Sequence, residues 1–418
     1  MRTILSLVFC LLSISLIAQT KNDSISSGSS NTRQVWYSFE NGEVKHNDLS
    51  EWHIAFQIEG IYSSILFNSA TGNELYVYPN GEISDWEKVD TNGLSTWPAL
   101  YNADSSWNLG AFNVNIRTDD DFDLGWGQYN VNTHNILGDS IYIVKFNEGK
   151  ALKIRIDKLA GGEYFFTYAN LDGSDEISTS IKKGTYEGKN FGYYNLVTQK
   201  EVDIEPIAKD WDLLFTKYTT MVSMGPGATM PYNVFGILNN GGMRVEKVHP
   251  IENPDSYEDY SSLPFQSPMN VIGYNWKKFD FQNSKYLIED STVYIIETAD
   301  LSIWKLILTG YSGSETGLVS FKKELLFSMS TNEPANRGFL EIYPNPVEGD
   351  QINIMSSLGQ GNTTLTITSG NGQQIESRTY TGGLQQLTIS TSHLPSGLYF
   401  VSLSSAKGQV VKKFIIPD

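Results

Sequence analysis

Apolar and polar residues alternate along much of this chain with a period of two. Segments such as Glu74–Pro79 (ELYVYP), Asp139–Phe146 (DSIYIVKF), Ala151–Ile156 (ALKIRI), Glu163–Ala169 (EYFFTYA), Ser291–Thr298 (STVYIIET) and Ser302–Leu308 (SIWKLIL) are rich in β-branched and aromatic residues. Such residues suit a pleated, half-buried surface. Long stretches of helical period are absent. The pattern predicts an all-β body, with turns marked by signals such as Thr71-Gly72-Asn73 and Asn92-Gly93.

Three segments break the pattern. Arg2 precedes an apolar run, Ile4 to Ile17, interrupted only by Ser6, Ser13 and Ser15. With the small residue Ala18 before Gln19, residues 1–18 have the layout of a secretory signal peptide. Residues 19–33 are polar and Ser-rich and predict a flexible linker. Residues 331–338, around Pro334, predict a second linker. Beyond it, residues 339–418 contain about seven short strands with Gly, Asn and Ser turns, the signature of a small Ig-like β-sandwich.

The body shows an internal repeat. Glu51-Trp52-His53-Ile54-Ala55-Phe56 matches Asp210-Trp211-Asp212-Leu213-Leu214-Phe215, and Trp36-Tyr37-Ser38-Phe39 matches Tyr193-Tyr194-Asn195-Leu196. Asp139–Val144 matches Asp290–Ile296, and Lys153–Ile156 matches Lys305–Leu308. Trp52 and Trp211 are 159 positions apart, Asp139 and Asp290 151, and Lys153 and Lys305 152. We expect two related β-rich units in tandem, residues 34–187 and 188–330.

Charge and cysteine content narrow the function. The chain carries a net charge of −17, and the segment from Glu333 onward holds six acids and five bases, so the body carries nearly all of the excess. An acidic body repels phosphate backbones, which argues against nucleic acid as a partner. The sole cysteine, Cys10, lies in the signal peptide, so no disulfide or thiolate chemistry is expected in the mature chain. No segment after the signal peptide is apolar enough to span a bilayer as a helix. The HExxH, GxSxG, P-loop and Rossmann signatures are absent, and we expect no enzyme.

Two resemblances add to this. Tyr343-Pro344-Asn345-Pro346, the Gly397-Leu398-Tyr399 turn into a strand, and the ending Lys412-Lys413-Phe414-Ile415 occur in order across residues 339–418. This segment resembles the C-terminal sorting domain of the type IX secretion system of Bacteroidetes. The resemblance implies passage across the outer membrane on the type IX machinery, followed by release or attachment at the cell surface. In the body, Asp210–Phe215, Gly273–Lys277, Asp290–Ile296 and Lys305–Leu308, and more loosely Trp52–Phe56 and Asp139–Ile156, look like the HmuY family of secreted, all-β haem-binding proteins. That family holds haem iron with paired His or Met side chains.

Candidate ligands follow from that resemblance. Met221, Met224, Met230 and Met243 crowd one Gly-rich stretch, and thioether sulfur is a soft ligand for iron. Methionines of this kind equally fill cores or line apolar grooves. His53 and His134 form the competing pair. Asp119, Asp121 and Asp123 place hard oxygen ligands on one loop, as calcium requires, without the spacing of an EF-type loop. The alternative to haem capture is a non-catalytic glycan- or surface-binding protein, with Trp86, Trp97 and Trp107 as candidates for stacking on sugars.

Overall fold

Our computed structural model describes residues 20–328 except Ile61 and Thr118, and residues 339–417 except Glu348, 358–361, 382–384 and 406–407. The signal peptide and the 331–338 linker lie outside the described residues. The chain divides into a body and a C-terminal unit that begins at Ser330.

The body opens with three strands, β1 (Lys21–Ser26), β2 (Arg33–Ser38) and β3 (Gly42–Asp48). A central run follows: β4 (Ile54–Gln57), β5 (Ile65–Phe67), β6 (Glu74–Val77), β7 (Ala99–Leu100), β8 (Gly127–Asn130), β9 (Asn135–Gly138), β10 (Ile141–Lys145), β11 (Ala151–Ala160), β12 (Glu163–Asn170), β13 (Ile177–Lys182), β14 (Phe191–Asn195) and β15 (Lys200–Val202). The last run is β16 (Leu213–Gly225), β17 (Ala228–Asn239), β18 (Arg244–Val248), β19 (Lys277–Asp280), β20 (Lys285–Ile288), β21 (Val293–Glu297), β22 (Ile303–Tyr311) and β23 (Leu318–Phe327).

These strands build two β-sandwiches with the same plan. In the first, the sheet β13-β12-β11-β10-β6-β7 packs on β15-β14-β4-β5 around Phe56, Phe67, Trp126, Tyr142, Tyr164 and Phe166. In the second, β1-β23-β22-β21-β18 packs on β3-β2-β16-β17 around Tyr37, Phe39, Phe215, Trp276, Tyr294 and Phe321. Most strands correspond: β4 to β16, β6 to β18, β10–β12 to β21–β23, and the β8–β9 hairpin to β19–β20, although β7 has no counterpart and β19–β20 forms a separate two-stranded sheet. The two sandwiches thus share one strand order, as a repeat in the sequence would produce.

Its boundaries differ from the sequence expectation. The first sandwich is continuous, from Ile54 to Val202. The second is circularly permuted relative to it. The equivalents of β13, β14 and β15 come from the start of the chain as β1, β2 and β3, and the first sandwich is inserted between β3 and β16. Hairpin β14–β15 thus ends the first unit instead of opening the second. Sequence likeness between Trp36–Phe39 and Tyr193–Leu196 is correct, but it cannot reveal which unit each hairpin joins.

The 19–33 segment is also corrected. β1 pairs along its whole length with β23, from Lys21 opposite Lys323 to Ser26 opposite Leu318. An edge strand buries little of its surface, so one apolar residue, Ile25, suffices to seat it in the core. Asp23 accepts from the Tyr37 hydroxyl at 2.6 Å and pairs with Lys323 at 3.1 Å. Polar composition hid a strand held by polar partners.

Alternation within the central strands then produces a seam between the sandwiches. In β16, Leu213 and Phe215 face the second core, while Leu214 points the other way; in β2, Val35 and Tyr37 face that core and Trp36 does not. Trp36, Trp52, Trp211, Tyr193, Leu214 and Leu238 meet in this seam. The matched Trp52 and Trp211 are accordingly packing residues. So are the matched lysines: buried Lys153 donates to the Trp86 carbonyl at 2.7 Å, and buried Lys305 donates to the carbonyls of Asp255 and Tyr257. Each clamps a loop across its sheet.

Among the described residues the C-terminal unit is a seven-stranded sandwich. Its strands are β24 (Phe339–Tyr343), β25 (Gln351–Ser357), β26 (Asn362–Ser369), β27 (Gln374–Thr381), β28 (Gln385–Ser390), β29 (Gly397–Ser405) and β30 (Gly408–Ile416). Sheet β24-β25-β28 faces β27-β26-β29-β30 around Ile352, Ile354, Leu365, Val401, Leu403 and Phe414. Asn345 of the Tyr-Pro-Asn-Pro motif accepts from the Ile415 N–H at 3.0 Å and donates to the Lys413 carbonyl at 3.1 Å, tying the motif to the Lys412-Lys413 strand. Tyr399 stacks on Phe414 and donates to the Pro395 carbonyl at 2.8 Å. Pro344 and Pro346 follow cis peptide bonds. Leu398, opposite Ile415, remains exposed, as does Tyr343.

Candidate functional site

An open concavity of the second sandwich lies where the β19–β20 hairpin meets the turn between β22 and β23. The hairpin turn is built by Asp280, whose carboxylate accepts from the N–H groups of Gln282 and Asn283 and from the Asn283 side chain. This sets Phe279 and Tyr286 opposite one another in register. Tyr286 meets Tyr311 of β22 with ring centroids 4.8 Å apart, and Phe279 meets Tyr286 at 5.1 Å. Gly313 permits the approach: its φ is +73°, and a Cβ there would sit 3.1 Å from the Tyr286 ring.

The resulting groove has a volume of about 510 Å³, within the ~300–1,000 Å³ of typical ligand sites. Three aromatic rings line it, with Lys285, Ser314 and Glu315 supplying polar groups. Tyr311 is fixed from behind. It stacks on Phe235 at 5.5 Å and donates to Asn31 at 3.0 Å. Lys277 lies beneath, 4.1 Å from the Trp276 ring and 5.0 Å from that of Tyr311, and donates to the Phe235 carbonyl at 2.6 Å. Burial without a carboxylate partner lowers its pKa to about 7. The equivalent hairpin of the first sandwich carries a smaller aromatic patch, where Phe122 stacks on Tyr129 and Tyr129 meets His134.

A second cavity, of about 70 Å³, lies in the seam against Trp52, Trp107, Tyr193 and Met269.

The haem-ligand candidates do not converge. Met221, Met224 and Met230 stand exposed on the distal part of the long β16–β17 hairpin, whereas Met243 is buried in the second core. His53 is buried at the edge of the first core. Its Nδ1 accepts from the Leu196 N–H at 3.2 Å, and its ring meets Phe146 edge-on. His134 sits in a surface turn at φ +55°, bonded to the Tyr129 hydroxyl at 2.8 Å. No two of these groups face each other across an apolar cleft among the described residues, so this donor set does not fit haem.

The acidic loop is not a cation cage either. Asp123 is buried and accepts from the backbone and side chain of Arg117 and from the Gly125 N–H, while Asp119 and Asp121 point to solvent. Among the described residues no group of three or more His, Cys, Asp or Glu is placed to hold a metal. The tryptophans proposed for sugar stacking are structural. Trp86 is buried and donates to Glu176, Trp97 packs on Tyr76 and Tyr78, and Trp107 donates to the Asn239 carbonyl from the seam.

His53 gives a pH dependence. Desolvation lowers its pKa from 6.5 to about 4. Between those values the unfolded chain binds a proton that the native state refuses. Stability is therefore lost as pH falls from 6.5 toward 4, by up to about 3 kcal/mol. Glu205 acts in the opposite sense, because burial raises it to about 7 and favours the native state at lower pH. Urea denaturation at pH 7.5 and 4.5 of the wild type and of His53→Gln isolates the histidine. The acid-induced loss should be smaller in the variant, and an equal loss in both would refute the assignment.

Comparison with known proteins bears on the C-terminal unit. Residues 341–417 match the family described as the secretion system C-terminal sorting domain. The sorting-domain expectation is met, and the chain is marked for export by type IX secretion. No curated protein matches the chain. A solved structure of PorZ, an essential bacterial surface component of the type IX secretion system of Porphyromonas gingivalis, is similar at 10% identity over 69% of this chain, with a TM-score of 0.17. The chain spans 44% of that protein's length. The match to the sorting family does not reach the two sandwiches, and among the described residues no helix is long and apolar enough to cross a membrane.

Proposed function

We propose that this exported chain is a non-catalytic binding protein of the cell exterior that takes a glycan in the groove formed by Phe279, Tyr286 and Tyr311. The groove itself carries the proposal: three aromatic faces stand beside ammonium, carboxylate and hydroxyl groups in one open concavity. Sugars present apolar C–H faces and polar rims, and that combination complements both. Tyr311 is anchored by Asn31 and Phe235, so little ordering entropy is lost at that ring on binding. The aromatic patch at the matching hairpin of the first sandwich offers a second contact for a repeating polymer.

Binding of the secreted chain to an array of bacterial and host glycans tests this. Tyr286→Ala and Phe279→Ala should each weaken retention about fivefold or more, the loss of one ring contact of ~1 kcal/mol or more. Trp97→Phe, away from the groove, should leave it unchanged. Haemin titrated into the same protein should give no sharp Soret band. A sharp band, or glycan retention indifferent to both groove variants, would overturn the proposal.

A further inference from the structure

The β16–β17 hairpin has no counterpart in length. β16 and β17 contain 13 and 12 residues, whereas the matching β4 and β5 contain four and three. The first sandwich thus shows that the fold closes without the extension. At its base the arm is fixed to the body, Thr219 bonding Ser69 and Thr220 bonding Asp104. Beyond Thr220 it projects roughly 20 Å, with Met221, Met224, Met230 and Tyr232 each 40% or more exposed. From Tyr218 to Met243 there is no charged residue, although the chain carries a net charge of −17. Exposed strands are ordinarily protected by Lys or other charges, and this one is not.

The two edges of the arm differ. Ile237 and Asn239 donate their N–H groups away from β16, to Gly273 and Met269 at 2.9 and 2.8 Å. Pro231 lies in that same row, so the outer edge of β17 lacks a donor there and is blunted. The residues paired with this row, Leu213, Phe215, Thr219 and Met221, point away from β17. Leu213 and Phe215 are met by β2, but that pairing ends at Phe215. Met221 and Ser223 therefore present N–H and C=O groups to an edge with no proline, no charge and, among the described residues, no strand partner.

We infer that the arm is a homodimerisation element, in which β16 pairs antiparallel with β16 of a second copy about a two-fold axis near Val222. Met221 of each copy then lies opposite Ser223 of the other. Val222, Met230 and Tyr232, which share one face of the arm, join their symmetry mates in a continuous apolar strip. Pro231 caps both outer edges of the four-stranded ribbon, so assembly stops at two. A second copy suits this edge better than lipid, because both strand edges would remain unpaired in hydrocarbon. Repulsion between the acidic bodies is muted, because the arms hold them apart by more than the ~8 Å Debye length of physiological salt.

Size-exclusion chromatography with light scattering on the full secreted chain tests this over a concentration series. The mass should double with concentration at physiological salt and fall back toward monomer at low salt. Met221→Pro removes only an edge donor, since the Met221 N–H points away from β17, and should give a monomer with an unchanged circular dichroism spectrum and melting temperature. Met221→Ser keeps the edge and should remain dimeric. A wild type that is monomeric throughout, a Met221→Pro variant that still dimerises, or a Met221→Ser variant that is monomeric would each overturn the inference.

Discussion

Deleting residues 20–48 is expected to unfold the second sandwich and leave the first one folded. The segment supplies β1, β2 and β3, and with them Ile25, Val35, Tyr37 and Phe39, all 2% exposed or less. Full burial of one such side chain is worth about 1.5–3 kcal/mol, so the four together approach the ~5–15 kcal/mol that stabilises a whole domain. Their loss also strips β16 and β23 of neighbours and leaves Lys323 without its Asp23 partner. The first sandwich draws its core from residues 54–196 alone and loses the cover that Trp36 provides across the seam and the bonds that Gln34 and Lys45 make to Trp52 and Asp203. Limited proteolysis should accordingly yield a resistant fragment spanning about residues 52–205 and rapid digestion of the rest. Equal protection of both halves would show that the N-terminal strands are dispensable.

Removal of residues 339–418 should abolish export while leaving the body folded. The body and the C-terminal unit have separate cores, and the family match to the sorting domain lies wholly within the latter. In a host with a working type IX system the truncated protein should accumulate in the periplasm, with the extracellular amount reduced to background. Fractionation followed by immunodetection reads this directly, and normal secretion of the truncation would refute it. A milder version is Asn345→Ala, which frees the Tyr-Pro-Asn-Pro turn from β30 without touching the core.

The strands that matter most for the two cores were largely legible because they alternate strongly: β10, β11, β12, β21 and β22 coincide with or begin in predicted segments, whereas β23 was not among them. The repeat was legible through Trp52 and Trp211, whose seam positions demand a large flat side chain twice. The permutation was not, because partner choice between two similar sandwiches depends on three-dimensional closure. β1 escaped notice since an edge strand needs only Ile25 to be apolar. The groove was hidden for another reason: Phe279, Tyr286 and Tyr311 are spread over 33 positions and meet only when the hairpin folds against the β22–β23 turn. The alternation of Phe279, Phe281 and Tyr286 around a turn was the available signal. The methionine cluster was a true signal, but its members divide between two places. Three of its members mark the uncharged arm, and the fourth fills the core.

The pairing of the first strand with the last has a kinetic consequence. Thr20 hydrogen-bonds Glu324 at 2.8 Å across a separation of 304 residues. Contacts of such high order form late, because the entropy of closing the intervening loop must be met before they give any return. The first sandwich can complete itself as soon as it emerges, whereas the second waits with two raw edges until Phe327 is available. Those edges are hazards for aggregation during that interval. β1, polar apart from Ile25, would be held in solution rather than caught in premature pairings, and this gives the hydrophilic start of the body a part in folding: it stays soluble long enough to close the ring last.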